Sequence, residues 1–268
     1  MLKCRALLVT LLMALLTARA APAQEIRVAA AADLKFAMQD VAAEFEKQSG
    51  TKVDVTYGSS GNFFSQLQNG APFDLFFSAD VDYPRKLEAA GLAEPGTLYK
   101  YAVGRIAIWT PADAKIDVTR LGWKTLLDPS VQKISIANPE HAPYGRAALA
   151  ALQKAGIYEQ VKTKLVYGEN ISQAAQFVQS GNAQAGIVAM SLAVSPGMKE
   201  GRRWEIPADM HPPIEQTAML LKTAKNKDSA RVFLEFVKSK AGRAMLSKYG
   251  FTIPAADPPA SPPSSENI

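Results

Sequence analysis

Four segments of the chain combine small or polar residues with the start of an amphipathic, helix-like stretch, and each trails an apolar run with the pattern of a β-strand. A helix start carries unpaired backbone N–H groups and a partial positive charge, so it favours anions. No Gly-Lys-Ser phosphate loop accompanies these segments, which predicts that neutral donors bind a small oxyanion. The segments are 29–33 (AAAAD), 57–62 (YGSSGN), 139–145 (PEHAPYG) and 168–172 (GENIS).

Residue types that would perform catalysis do not form a recognisable set. The sequence contains no Gly-x-Ser-x-Gly, His-Glu-x-x-His or Cys-His pattern. The two histidines, His141 and His211, lack the spacing of metal ligands. Asp80 is expected to cap a helix that begins near Val81, and Arg146 to be a solvated helix residue. We therefore expect a binding protein without a cofactor rather than an enzyme.

The first 23 residues have the pattern of a cleavable secretory signal peptide. A basic start is followed by an uncharged aliphatic run from Ala6 to Thr17, too short for a membrane span, and then by small-residue cleavage patterns. We expect cleavage after Ala23, with Ala20 as the second choice. The mature protein is therefore predicted to be periplasmic.

Removal of residues 1–23 changes the composition of the chain. The only cysteine, Cys4, is lost, which excludes a disulfide or a thiolate metal site in the mature protein. Three of the 30 basic residues are lost as well, so 27 remain against 25 acidic ones, a net charge of +2. This balance gives no indication of nucleic-acid binding. At the other end, residues 255–268 are rich in proline and serine and are predicted to be a disordered tail.

Strand-like and helix-like segments alternate between these ends, which predicts parallel, doubly wound sheets. Residues 34–48, for example, carry apolar side chains at the spacing of one helix face. A second unit of the same kind begins with a long apolar run, 102–109. We expect two lobes around a cleft: 24–103 as the first part of lobe 1, 104–208 as lobe 2, and 209–254 as a return to lobe 1. In such sheets ligands bind at the carboxyl ends of the strands.

Five strings resemble the molybdate-binding proteins of ABC transporters, and the resemblance spans about residues 25 to 254. It implies an α/β, two-lobed periplasmic-binding-protein type II fold, with a mixed sheet in each lobe and molybdate or tungstate in the cleft. It also implies an ABC permease as partner, and we expect a monomer. The strings are 28–34 (VAAAADL), 57–61 (YGSSG), 69–80 (NGAPFDLFFSAD), 138–145 (NPEHAPYG) and 248–251 (KYGF).

The resemblance also implies a set of oxyanion ligands. Ser60 corresponds to the serine of the second helix start, with Ser59 beside it as a weaker candidate. The backbone N–H groups of Tyr144 and Ile171 correspond to two further donors. Ala189, another weaker candidate, stands where some relatives have a tyrosine. The hydroxyl that this tyrosine would supply could come from Tyr144 instead.

Asp33, beside the weaker candidate Ala32, stands where relatives have serine or asparagine at the first helix start. A carboxylate about 4 Å from an anionic charge costs about 4 kcal/mol per pair of unit charges at an effective dielectric constant of about 20. Three arrangements are open: the side chain caps its own helix, it is protonated, or it ligates the metal directly. Because Asp33 departs from the pattern, the alternatives are another small oxyanion, an organic acid or, on the same fold, a secreted enzyme.

Overall fold

The computed structural model describes residues 25–255, which form two five-stranded sheets with helices packed against them. The predicted signal peptide lies outside the described residues, as does the predicted tail apart from Ala255. No helix between residues 25 and 255 has both the length and the apolar character that a membrane crossing requires.

Five strands form the first sheet: β1 (Glu25–Ala31), β2 (Lys52–Gly58), β3 (Leu75–Ser78), β4 (Tyr99–Gly104) and β10 (Ile214–Leu220). Their order is β2-β1-β3-β10-β4. β1 is parallel to β2 and β3, whereas β10 is antiparallel to β3 and β4. The alternation alone wrongly predicted a parallel sheet, because β10 enters from the second lobe and not from a strand–helix–strand crossover within the first.

The second sheet repeats this arrangement with β5 (Ile106–Thr110), β6 (Ile134–Ala137), β7 (Leu165–Gly168), β8 (Ala185–Ala189) and β9 (Arg202–Glu205). Their order is β7-β6-β8-β5-β9. β6 is parallel to β7 and β8, and β5 is antiparallel to β8 and β9. The mixed sheet in each lobe that the family resemblance implied is therefore confirmed.

Helices cover both sheets. The longest, α1 (Lys35–Ser49), has the apolar face that the spacing predicted, and it buries Ala37, Met38, Val41, Ala42 and Phe45. Short 3₁₀ turns occur at Ala32–Leu34, Lys162–Lys164 and Ala208–Met210. The α-helices between residues 25 and 255 are α1 (Lys35–Ser49), α2 (Ser60–Gln68), α3 (Asp82–Ala89), α4 (Val118–Leu121), α5 (Lys124–Leu127), α6 (Pro143–Lys154), α7 (Tyr158–Val161), α8 (Ile171–Gln179), α9 (Met190–Ala193), α10 (Lys227–Lys238) and α11 (Lys240–Lys248).

The chain passes between the two sheets inside the apolar run 102–109. This run is not one element: β4 ends at Gly104 in the first sheet and β5 begins at Ile106 in the second. Gly104 has no room for a side chain, since a Cβ there would lie 2.3 Å from the Tyr144 hydroxyl. The chain returns to the first sheet between β9 and β10, and Gln216, near the start of β10, donates to the same Tyr144 hydroxyl at 2.8 Å.

Gly145 sets how closely α6 approaches the end of β6. A Cβ at this buried position would lie 2.3 Å from the carbonyl oxygen of Ala137 and 2.8 Å from the carbonyl carbon of Asn138. Backbone atoms cannot move aside as a flexible side chain can. Glycine at 145 therefore fixes the position of the first turn of α6.

Replacing Gly145 with alanine is expected to lower the stability of the protein by about 1–3 kcal/mol, the usual result of overpacking a core. The measurement is the melting temperature. Gly197→Ala is the matched control, because the exposed Gly197 would meet only the end of the Gln179 side chain, at 3.4 Å. Equal melting temperatures for the two variants would contradict this account of the helix–strand contact.

Candidate functional site

The starts of four helices meet at one cavity between the two lobes. All four segments singled out in the sequence contribute to its lining. The twelve lining residues include no lysine, arginine or histidine, and one carboxylate. They are Ala31, Ala32, Asp33, Gly58, Ser59, Ser60, Ala79, Ala142, Pro143, Tyr144, Asn170 and Ile171.

Strand ends explain why these segments converge. In the first sheet the parallel strands β1 and β2 end at Ala31 and Gly58. In the second sheet the parallel strands β6 and β7 end at Ala137 and Gly168. Each end is followed by a helix, and the carboxyl ends of parallel strands lie at the same edge of a sheet. Two such edges face each other across the cavity.

The two neighbouring serines of α2 have different roles. Ser60, at the first position of the helix, is fully buried, and its Oγ accepts a hydrogen bond from the backbone N–H of Ala79 at 2.9 Å. This leaves the Ser60 hydroxyl proton available for donation. Ser59 is the N-cap, and its Oγ accepts from the backbone N–H of Asn62 at 3.3 Å.

The second lobe contributes backbone donors. Tyr144 is the second residue of α6, after Pro143, and Ile171 is the first residue of α8. N–H groups in the first turn of a helix have no acceptor within that helix. The Asn170 cap accepts from Gln173, at 3.0 Å, and so does not occupy the N–H of Ile171.

Asp33 belongs to a buried polar network and does not cap its own helix turn. Its Oδ2 accepts hydrogen bonds from the Tyr144 hydroxyl at 3.0 Å and from Nε2 of Gln216 at 2.6 Å. Oε1 of Gln216 accepts in turn from the Tyr101 hydroxyl at 2.6 Å. The Tyr144 hydroxyl thus donates to Asp33 in this structure, and its use as an extra ligand stays a prediction.

The charge state of Asp33 follows from its surroundings. The residue is 1% exposed, and its Oδ1 has no hydrogen-bond partner within residues 25–255. Burial raises the pKa of Asp33 from 3.8 to about 7, and the hydrogen bonds from Gln216 and Tyr144, together with the nearby backbone N–H groups of Asp33 and Leu34, oppose part of this rise. Near neutral pH the side chain therefore exchanges between its neutral and ionised forms.

Ala189 has a structural position. It ends β8, is fully buried, pairs with Ile106 of β5, and is not among the twelve lining residues. The part of the chain that the structure describes also contains no group of three or more histidine, cysteine, aspartate or glutamate side chains able to hold a metal ion.

The model of one family, described as bacterial extracellular solute-binding protein, matches residues 26–252 of the chain. The chain belongs to this family. It is 40% identical over 245 residues to the molybdate-binding protein ModA of Azotobacter vinelandii, covering 91% of this chain and 96% of that protein. It is 38% identical to ModA of Rhodobacter capsulatus, covering 86% and 89%.

A solved structure supports the same assignment. The periplasmic molybdate-binding protein of Azotobacter vinelandii superposes with a TM-score of 0.81 at 31% identity, covering 86% of this chain and 100% of that one. The two-lobed fold implied by the sequence is thereby confirmed. In a solute-binding protein, contacts between the lobes matter because the ligand is enclosed when they close.

Two serines of this solute-binding protein join the lobes by hydrogen bonds to the backbone of cavity-lining residues. The Ser172 hydroxyl donates to the carbonyl oxygen of Ala32, and the Ser191 hydroxyl donates to that of Asp33, both at 2.8 Å. Neither serine, nor Gln216, was identified from the sequence. Ser191 and Gln216 are single polar residues with no motif or spacing that would have distinguished them, and Ser172, although it ends the segment 168–172, was not among the expected ligands.

An ion pair joins the lobes further out. Arg146 Nη2 lies 2.5 Å from Oδ2 of Asp80, and Nη1 lies 3.3 Å from the Tyr83 hydroxyl. Arg146 was expected to be a solvated helix residue, and its side chain is 41% exposed; its guanidinium also bridges α6 to the residues that follow β3. Asp80 also accepts from the backbone N–H of Tyr83 at 3.2 Å, the predicted capping role.

Ser59, His141 and Glu169 form a further contact between the lobes. Nδ1 of His141 lies 3.0 Å from Oγ of Ser59, and Nε2 lies 3.7 Å from Oε2 of Glu169. Glu169 also accepts from the side chain of Asn62. The order serine–histidine–carboxylate is that of a hydrolase triad. Here Ser59 is occupied as a helix cap, and 3.7 Å exceeds hydrogen-bond distance, so we interpret the series as a closing contact.

Asp33 links folding to pH. An ordinary aspartate in the unfolded chain ionises near 3.8, whereas the folded protein keeps the proton until about pH 7. Between these values the folded state binds more protons than the unfolded state, so the stability due to Asp33 is full below pH 3.8 and is lost as the pH rises through 7.

Asp33→Asn, which is neutral at every pH, is therefore expected to stabilise the ligand-free protein relative to wild type more at pH 8 than at pH 5. The difference should be about 2–3 kcal/mol, because stability changes by about 1.36 kcal/mol per pH unit only between pH 5 and the pKa of about 7. Melting temperatures at the two pH values measure it. The control is Asp54→Asn, at an exposed position. This variant is expected to change the melting temperature by the same amount at the two pH values. An Asp33→Asn effect that does not grow with pH would contradict the linkage.

Proposed function

We propose that this solute-binding protein captures molybdate in the cavity between its lobes and delivers it to an ABC permease. The observation that carries the proposal is the convergence of four helix starts on one cavity that lacks cationic side chains. The names of the relatives agree with this choice of ligand. Tungstate, with the same charge and tetrahedral shape, is proposed as a second ligand.

The proposed ligand shell uses donors that are already in place. The Ser60 hydroxyl approaches from the first lobe, oriented by its bond from Ala79. The backbone N–H groups of Tyr144 and Ile171 approach from the second. Preorganised dipoles of this kind can replace the hydration of an ion without a counter-charge, because they require no reorganisation when the ion arrives.

The same arrangement provides selectivity by size. Donors fixed to two sheets cannot follow a smaller ion without moving a lobe, so sulfate would stretch the hydrogen bonds that molybdate satisfies. We propose that lobe closure, supported by Ser172, Ser191 and the Arg146–Asp80 pair, completes the shell only around an ion of the right size.

Several further properties follow from this proposal. The protein would be secreted by means of the predicted signal peptide, act in the periplasm and work as a monomer. It would bind its ligand unchanged and catalyse no reaction, since Ser59, the hydroxyl next to His141, serves as a helix cap.

The proposal predicts a rise in melting temperature with molybdate and tungstate, and a smaller rise with sulfate at the same concentration. A ligand at a hundredfold excess over its dissociation constant stabilises the folded state by about 2.7 kcal/mol. Ser60→Ala removes a hydrogen bond to a charged group, which should weaken molybdate binding by about 1.5–3 kcal/mol, roughly tenfold to a hundredfold.

Calorimetric titration of the mature protein measures these affinities. Ser65→Ala is the matched control, because Ser65 is an exposed serine on the same helix. Equal affinity for sulfate and molybdate would refute the size selection. No binding of any oxyanion would refute the proposed function itself.

A further inference from the structure

The cavity contains a feature that is unfavourable for an anion site. Asp33 is the one carboxylate among the twelve lining residues, and none of them carries a cationic side chain. It cannot turn towards solvent, because it is 1% exposed and its Oδ2 is fixed by Tyr144 and Gln216. Its Oδ1 has no partner among the described residues. A buried polar atom without a partner costs stability unless a ligand or water satisfies it.

The titratable groups nearest to Asp33 are two tyrosines. Tyr144 donates to it from α6, and Tyr101 reaches it through Gln216 from β4. Burial raises the pKa of both tyrosines well above 10, and the neighbouring Asp33 adds to the rise, so both stay neutral at physiological pH.

The elements packed against the 3₁₀ turn of Asp33 supply no cation to it. These are α1, β2, α8 and α9, and the last two contain no titratable residue. On β2, burial raises the pKa of Tyr57 to about 12. On α1, Lys35 is exposed and lies over the Phe36 ring, 5.8 Å from its centroid. None of the hydrogen bonds to the Asp33 side chain comes from these elements.

Glu215, next to Gln216 on β10, pairs with Lys100 at 2.9 Å on the surface. Asp33 lines the cavity, and the side chains that hydrogen-bond to its carboxyl group within residues 25–255, Tyr144 and Gln216, are neutral. The ionisation state of Asp33 therefore determines the charge next to a bound ion.

Two penalties on oxyanion binding can be compared: the repulsion by an ionised Asp33, and the cost of keeping Asp33 protonated. An ionised carboxylate about 4 Å away would weaken binding by about a thousandfold for each unit of negative charge on the ion. Retaining a proton at pH 7 costs only about a factor of two, because the pKa of Asp33 lies at about 7. Protonation is the far smaller penalty, and it also turns Oδ1 into a hydrogen-bond donor or lets it share the proton.

We propose that the cavity binds its oxyanion together with one proton from solvent, which lies between Oδ1 of Asp33 and an oxygen of the ion. This inference rests on the proposed oxyanion-binding function. It makes Asp33 a ligand of the ion and a determinant of the protonation state that the site accepts. Above pH 7 the affinity for a dianion should fall about tenfold per pH unit, because each unit removes the proton from nine-tenths of the remaining neutral carboxyl groups.

The test is calorimetric titration of the mature protein with sodium molybdate at pH 8.5, in two non-oxyanion buffers of different ionisation enthalpy. The dependence of the heat on the buffer gives the number of protons taken up. We expect about one for the wild type and none for Asp33→Asn or Asp33→Ser, with a pH-independent affinity in both variants. Two variants are used in case one does not fold.

His141 is the control, because its Nδ1 lies 3.0 Å from Oγ of Ser59, which lines the cavity. His141→Gln should keep the uptake seen in the wild type. Binding without proton uptake, or uptake that survives in the Asp33 variants and disappears in His141→Gln, would overturn the inference while leaving the proposed function intact. Absence of molybdate binding between pH 6 and 8.5 would refute both.

Discussion

An ion buried without a counter-charge requires hydrogen-bond donors that are already directed at it, and the rest of this structure follows from that requirement. Helix starts are the strongest neutral source of such donors, because their first N–H groups have no partner within the helix. One helix provides donors from one side only. Bringing four starts to one point needs two sheets whose strand ends face each other, which is the arrangement of β1, β2, β6 and β7.

The buried network around Asp33 connects this site to the chain crossings between the lobes. Gln216 lies on β10, just after one crossing, and Tyr101 lies on β4, just before the other. Tyr144 comes from the second lobe and contacts both Asp33 and Gln216. Closing the lobes therefore assembles the polar partners of Asp33 at the same time as the donors of the cavity. Opening them would separate Tyr144 from the first-lobe members of the network.

The sequence predicts those parts of this arrangement that depend on the spacing of apolar residues or on the order of strands and helices along the chain. The face of α1 follows from its spacing, and the convergence of the four helix starts follows from their place after strands. The division of the run 102–109 could not be predicted, because both halves are equally apolar and only the tyrosine packed against Gly104 marks the crossing. The contacts of Gln216 and the Arg146–Asp80 ion pair could not be predicted for a related reason. The residues that they join are distant in sequence, and a single polar residue has no periodicity.

A crystal structure of the mature protein with molybdate, with the metal located by its anomalous scattering, tests the central claim most directly. The account predicts one molybdenum atom in the cavity. Its oxygens should lie within hydrogen-bond distance of the Ser60 hydroxyl, of the backbone nitrogens of Tyr144 and Ile171, and of Oδ1 of Asp33. An ion bound elsewhere, or one in the cavity that receives none of these hydrogen bonds, would contradict the account.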